Sequence, residues 1–340
     1  MARVVTFGEL MLRLSPPGHE RFLQSPRFEA SFGGGEANVA VGLARLGVSS
    51  SFVTRLPANA IGDAAMGELA RYGVDTRFVT RGGSRMGVYY CEKGASQRAS
   101  KVIYDRSGSA IAEASPSDFD WGAIFAGAEA FHFTGITPAL SDSAAAACLD
   151  AAKAAKARGL SVSCDLNYRK NLWSAERASK VMRGLMPFVD VLIGNEEDAE
   201  KVFGIRAQGS DVGSGELSRP GYEAVARKLA AEFGLKAVAI TLRKSHSASD
   251  NGWGGMLFED GRAHFSREYE LHIVDRVGGG DSFAAGLIAS RLARRDPQSS
   301  IEFAVAASAL KHSIEGDFNL ATKDEIEALA GGDASGRVSR

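Results

Sequence analysis

The chain has 340 residues, 45% of them hydrophobic and 24% charged, with a formal net charge of -1. That length supplies a large buried core, and the near-neutral balance offers no basic field for nucleic acid or an anionic membrane, so both partners are disfavoured. No apolar run reaches the roughly 18 residues of a spanning helix, and the first seven residues lack the pattern of a secretory signal.

Cys91, Cys148 and Cys164 show neither metal nor redox spacing, which predicts reduced thiols in a cytoplasmic protein. Residues 4–7 form an apolar run that ends at Gly8-Glu9, as a buried strand opening onto a site would. Gly33-Gly34-Gly35 then precedes helical spacing over 36–46, closed by Gly47. Residues 10–32 mix prolines with alternating positions, and 86–91 and 101–104 alternate as half-exposed strands do. Together they predict a small separate sheet whose apolar face needs cover, from a ligand or from a second copy of the chain.

From residue 130 the rhythm is strand then helix: 130–133, 141–158, 160–165, 175–186, 189–193 and 196–203. Such alternation argues for right-handed βαβ units, a mainly parallel sheet and an α/β fold with its site at the strand carboxyl ends. Thr134-Gly135-Ile136, Asp165-Leu166-Asn167-Tyr168-Arg169 and Asn195-Glu196-Glu197-Asp198 fall at such ends. Residues 206–220, rich in Gly and Ser, predict a surface loop. A helix over 221–233, a strand over 236–241 and paired strands at 253–258 and 263–267 follow. Helices over 281–293, 300–313 and 323–329 precede a disordered tail at 331–340.

The chemically most informative stretch is Gly278-Gly279-Gly280-Asp281, a flexible turn feeding a helix that begins at Asp281. Unpaired amides and the positive end of the helix dipole converge there on one point, which suits an anion. Taken alone, Gly-Gly-Asp reads equally well as an ordinary capping Asp after a glycine turn. Competing signatures are missing: there is no Gly-Lys dipeptide, no Gly-x-Gly-x-x-Gly, no Gly-x-Ser-x-Gly and no His-Arg-Asp. The histidines show no His-x-x-x-His spacing, and His132 on its apolar strand reads as a hydrogen-bonded core residue.

Gly278-Gly279-Gly280-Asp281 with Phe283 and Gly286 resembles the C-terminal signature of the ribokinase-type (PfkB) sugar kinases, and Gly33-Gly34-Gly35 with Asn38 resembles their N-terminal one. The similarity runs over about residues 3–330. It implies a ribokinase-like three-layer α/β sandwich over residues 1–330, with a mainly parallel central sheet and a small β-sheet lid from about 10–32 and 86–107. It also implies that Asp281 is the catalytic base and that Gly278, Gly279 and Gly280 form an anion hole, with Gly278 and Gly280 touching the nucleotide.

Within the family the pattern is most similar to the 2-keto-3-deoxygluconate kinases, through 33–38, Tyr89, Tyr104 with Arg106, 135–140, 167–169 with Leu172-Trp173, and 316–319. On that resemblance Gly34, Asn38, Tyr89, Tyr104, Arg106, Ile136, Arg169 and Asp317 line a sugar-acid site. Two arginines facing one pocket suit a carboxylate or a phosphate. The implied reaction is ATP-dependent phosphorylation of the primary hydroxyl of 2-keto-3-deoxy-D-gluconate to the 6-phosphate. Fructokinase, 2-keto-3-deoxygalactonate kinase and a non-catalytic sugar-binding protein of the same fold stand as rivals; a nicotinamide enzyme is disfavoured by the missing dinucleotide fingerprint.

Two departures from the family pattern stand out. Asn195 is followed by Asp198 where Asn-x-x-Glu is usual, which points Asp198 at Mg²⁺ through water. The segment 241–252 is long and polar in place of a Gly-x-x-Gly nucleotide loop, leaving Asn195, Thr241 and Arg243 as expected ATP contacts. The resemblance leaves a monovalent cation such as K⁺ open and implies a homodimer through the lid.

Overall fold

The computed structural model describes residues 2–195, 197–209 and 218–333. Side-chain alternation decides its layering. In the strand Arg3–Phe7, Val5 and Phe7 enter one apolar core while Val4 enters another, as a strand buried on both faces requires. The same alternation separates Phe131 and Phe133 from Ala130, and Leu192 from Val191 and Ile193.

A nine-stranded sheet results. Its path runs Arg262–Phe265, Asp250–Glu259, Ala237–Ser245, Val191–Gly194, Ser161–Asp165, Ala130–Thr134, Arg3–Phe7, Ser49–Val53, with Tyr269–His272 pairing beside Asp250–Glu259. Every pair from Ala237–Ser245 to Ser49–Val53 is parallel, and the strands beyond are antiparallel. Helices Asp142–Ala157, Ala175–Leu185 and Arg219–Phe233 cover one face; Gly35–Arg45, Gly279–Leu292 and Pro297–Lys311 cover the other.

Parallel register brings the carboxyl ends together: Asp165 pairs with Thr134 and with Ile193, and Gly194 pairs with Ile240. Helix starts then divide into two kinds. Ser141, Ser174, Ser218 and Asp296 cap their helices by accepting from backbone N–H groups in the first turn. The helices Gly35–Arg45 and Gly279–Leu292 have no side-chain cap, so their first amides are left for something else.

A four-stranded sheet stands apart, in the order Glu29–Gly33, Met11–Ser15, Gly87–Glu92, Lys101–Asp105. Met11, Tyr89 and Cys91 pack on its inner side with Val277. Its outer strand Lys101–Asp105 is exposed throughout.

Several expectations need correction. The helix after the second glycine turn starts at Gly279, so Asp281 lies inside its first turn and is not a cap. Thr241–Ser245 is strand, paired with Asn251–Gly255, so only residues 246–249 form a turn where a long nucleotide loop was expected. The strand Tyr269–His272 and the helix Ala60–Arg71 were not anticipated. The short helix expected from 196 runs Asp198–Phe203, and Glu196 lies outside the described residues. Most of the loop expected at 206–220 also lies outside them, at 210–217, and the helix after it already begins at Arg219. The last helix reaches Gly331, and of the expected disordered tail residues 334–340 lie outside the described residues.

Candidate active site

The strand carboxyl ends, the two uncapped helices and the inner face of the small sheet surround one cavity of about 380 Å³. Asp281, Gly278, Gly279, Gly280, Gly34, Asn38, Tyr89, Tyr104, Arg106, Ile136, Arg169, Asp317, Asn195, Thr241, Arg243 and Asp198 all line it. Residues separated by up to about 280 positions in the chain thus meet in a single place.

The second glycine turn is built for conformation at one residue and for close approach at the next. Gly278 has φ of 84°, and a Cβ there would lie 2.0 Å from Asp317 O. A Cβ on Gly279 would fall 2.6 Å from the His312 ring. Gly280 meets nothing within 4 Å and opens onto the cavity. The Gly279 N–H reaches Arg276 O at 3.4 Å, and the positive end of the helix dipole faces the open space beside Gly280.

Asp281 lies half-buried in the first turn of that helix. Asn38 Nδ2 donates to its Oδ2 at 2.6 Å, while Asn38 Oδ1 accepts from Gly34 N at 3.2 Å. Burial, reinforced by the carboxylates of Asp317 and Glu36, pushes the Asp281 carboxyl up to about 7 against the pull of Asn38 and Arg169. A carboxyl poised there can accept a proton near neutral pH.

The first glycine turn has a different logic. A Cβ on Gly33 would fall 1.9 Å from Asp317 Oδ2, and one on Gly34 would fall 1.9 Å from Glu9 O. Glu36, fully buried behind it, accepts from Thr134 N, Thr134 Oγ1 and Thr137 Oγ1 at 2.9, 2.8 and 2.7 Å. Those bonds fix the loop after Thr134 that carries Ile136.

Charges at the end of the cavity lined by the small sheet are arranged otherwise than the chain alone suggested. Arg106 is buried and ion-paired with Glu9: its Nε donates to Glu9 Oε2 at 2.7 Å, its Nη2 reaches the same oxygen, and Ser109 Oγ donates to Oε1 at 2.9 Å. Its guanidinium also lies 5.0 Å from the Tyr104 ring centroid. Arg169 gives one N–H to Tyr168 O at 3.3 Å and enters no ion pair among the described residues. Asp317 accepts from Tyr89 OH at 2.6 Å and from Arg13 Nη1 at 2.9 Å.

Arg13 escaped the sequence reading. It joins Asp317 to Asp275, donating from Nη2 to Asp275 Oδ2 at 2.7 Å, and so rivets the small sheet to the segment carrying the glycine turn. Burial pulls its pKa down, but Tyr89, Asp317 and Asp275 outweigh that and raise it. At the far end Arg276, Asn251, Trp253 and His312 join Thr241 and Arg243 around the cavity, also unforeseen. Arg276 donates to Ala248 O at 3.2 Å, and burial followed by the nearby Arg243 charge lowers its pKa.

A matching model of the pfkB family of carbohydrate kinases spans residues 1–323. The chain belongs to that family. Its fold is ribokinase-like, and it is a sugar kinase that binds ATP. Among relatives, the PfkB chain is 33% identical over 334 residues to 2-dehydro-3-deoxygalactonokinase from Haloferax volcanii, which covers 98% of each. The solved 2-dehydro-3-deoxygluconokinase from Thermotoga maritima superposes with a TM-score of 0.95 at 53% identity, covering 98% of this chain and 100% of that one. An E. coli chain solved in complex with ATP and Mg²⁺, 20% identical, shares the fold with a TM-score of 0.79 over 97% of this chain and 99% of its own.

Asp198 and Asp165 test the fit of this kinase site to Mg²⁺. Asp198 accepts from Asn195 N at 2.9 Å and Tyr168 N at 3.1 Å, and burial raises its pKa. Burial and the neighbouring Asp198 and Asp281 raise that of Asp165 further. No cluster of three acidic, His or Cys ligands occurs among the described residues. Two crowded carboxyls without a full protein cage fit an ion held mainly by water and phosphate oxygens. No described helix is long and apolar enough to cross a membrane. His132 is the core residue expected, fully buried with Nδ1 2.9 Å from Ser163 Oγ and its pKa lowered by burial to about 3.

Proposed function

We propose that this kinase phosphorylates the primary hydroxyl of a 2-keto-3-deoxy sugar acid, 2-keto-3-deoxy-D-gluconate, to give its 6-phosphate. The observation that carries the reading is Asp281, held by Asn38 beside an uncapped glycine-turn helix, with a carboxyl that takes up a proton near pH 7. Asp281 accepts the proton of the attacking hydroxyl while the amides of residues 278–281 receive the charge on the transferring phosphoryl group. Asp198 and Asp165 would hold Mg²⁺ by way of water, and the ion would supply charge neutralisation on the phosphates. Asn195, Thr241 and Arg243 contact the nucleotide.

Arg169 is the group best placed to meet the substrate carboxylate, because Glu9 already answers the charge of Arg106. Gly34, Asn38, Tyr89, Tyr104, Ile136 and Asp317 surround the sugar. The four-stranded sheet acts as a lid that excludes water. Its exposed Val102, Ile103 and Tyr104 support a dimer through the same sheet, which sedimentation of an Ile103→Lys protein tests by the loss of the dimer.

The Haloferax relative favours a second reading, the galacto epimer. ADP release measured with both epimers and with fructose decides: the gluconate acid is expected to give the highest kcat/KM. A preference for fructose overturns the acid reading, and a preference for the galactonate acid overturns only the epimer.

A further inference from the structure

Behind the glycine turn lies a charge that the chemistry above leaves unused. Lys311 ends the helix Pro297–Lys311 and is fully buried. Its Nζ donates to Ile314 O at 2.8 Å and points at Asp275 O at 3.4 Å. A Cβ on Gly278 would come within 3.3 Å of Lys311 Cε, so the side chain supports the turn from beneath. Asp275, Asp317 and Asp281 attract the ammonium electrostatically and Arg13 repels it, yet among the described residues no carboxylate pairs with it directly.

Desolvating an ammonium is costly, so a buried lysine held mainly by backbone carbonyls must be compensated by what those carbonyls gain. Here they belong to the two segments that shape the site. Asp275 Oδ1 accepts from Val277 N at 3.0 Å and its Oδ2 accepts from Gly316 N at 3.2 Å, so Asp275 ties the segment before the turn to the one before Asp317. Backbone carbonyl oxygens converging on one positive charge are the ligands that replace the water shell of a monovalent cation. Lys311 fills that place with a cation of the chain's own.

We propose that Lys311 is a positioning residue for phosphoryl transfer, a built-in cation that holds the 275–278 and 314–317 segments in register, and that the kinase needs no added monovalent cation. The proposal rests on reading the glycine turn as the anion hole. It replaces the K⁺ requirement that the sequence left open.

The test starts with the unaltered protein, assayed with tetramethylammonium and then with K⁺ as the only monovalent cation. Equal kcat and equal KM for ATP are expected; stimulation by K⁺ overturns the proposal without any variant. Lys311→Ala is expected to lose about tenfold in kcat, less than the roughly 10²–10³ of a donor that touches the phosphoryl group itself, with KM for the sugar unchanged. K⁺ or NH₄⁺ should then restore part of that turnover by entering between the carbonyls. Full turnover in Lys311→Ala, or a loss that neither cation relieves, overturns the proposal. Asp281→Asn run alongside separates the two levels: if it stays active the reading of the turn fails, and if it dies while the wild type responds to K⁺ only the role of Lys311 fails.

Discussion

The two glycine turns of this kinase look alike in sequence and work by opposite means. Both feed helices without a side-chain cap, and those helices pack together so tightly that a Cβ on Gly42 would fall 2.8 Å from Ala285. At the first turn the glycines are spaces already occupied: Glu9 O and the Asp317 carboxylate stand where side chains would go. At the second the constraint is backbone conformation at Gly278 and ring contact at Gly279, while Gly280 looks into the cavity. One turn is set by packing, and the other leaves space open in front of a helix start, where the proposed mechanism puts the transferring charge. Asn38 and Asp281 join them by a 2.6 Å hydrogen bond.

The comparison breaks most sharply at Asp281. Asp281→Asn should keep ligand binding and lose on the order of 10²–10⁴ in kcat, measured by ADP release at saturating sugar and ATP. The same variant should melt higher than the wild type at pH 8. The wild-type Asp281 carboxyl is raised from 3.8 to about 7 on folding, so folding takes up a proton in that interval, and stability falls as pH rises through it. The amide removes that loss.

A smaller effect should distinguish the turns themselves. Gly34→Ala is expected to destabilise the fold by about 1–3 kcal/mol in urea unfolding, because backbone must move to admit the methyl group. Gly280→Ala should leave the unfolding midpoint in place, since its methyl group meets only open cavity, and lower kcat if that cavity receives the phosphoryl group as proposed. If both variants behaved alike, the distinction between a packed and an open turn would be lost. The smallest effect is expected at the joint: Asn38→Ala removes a bond that holds the Asp281 pKa down, so the acid limb of kcat/KM should move from near 7 to higher pH.

Much of this site was legible in the chain because glycine trios and strand ends leave local marks. Asp281, Asn38 and Arg169 each sit beside such a mark, and each lines the cavity. Arg13 carries no such sign, and although Glu9 follows a strand end, nothing local marks its partner. Arg13 bonds to Asp317 across 304 positions and Glu9 to Arg106 across 97, and pairings that long are made by topology, not by spacing. The helix at Gly279 hid its first turn behind two glycines, the residues least suited to helix interiors apart from proline. Ala60–Arg71 was masked in the same way by Gly62 and Gly67. Residues 242–245 and 251–252 read as loop because the stretch is polar, with Arg243 and Asn251 lining the cavity, although the backbone is paired throughout.

The three thiols have a practical bearing. Cys91, Cys148 and Cys164 are all buried, and burial raises the pKa of each, which leaves the native protein poor in reactive thiolate. A cysteine introduced at Leu23, 97% exposed in the turn before the strand Glu29–Gly33 of the small sheet, would therefore stand alone toward a maleimide dye. Fluorescence from that label would turn each arrival of sugar or nucleotide into a readable change of colour or brightness.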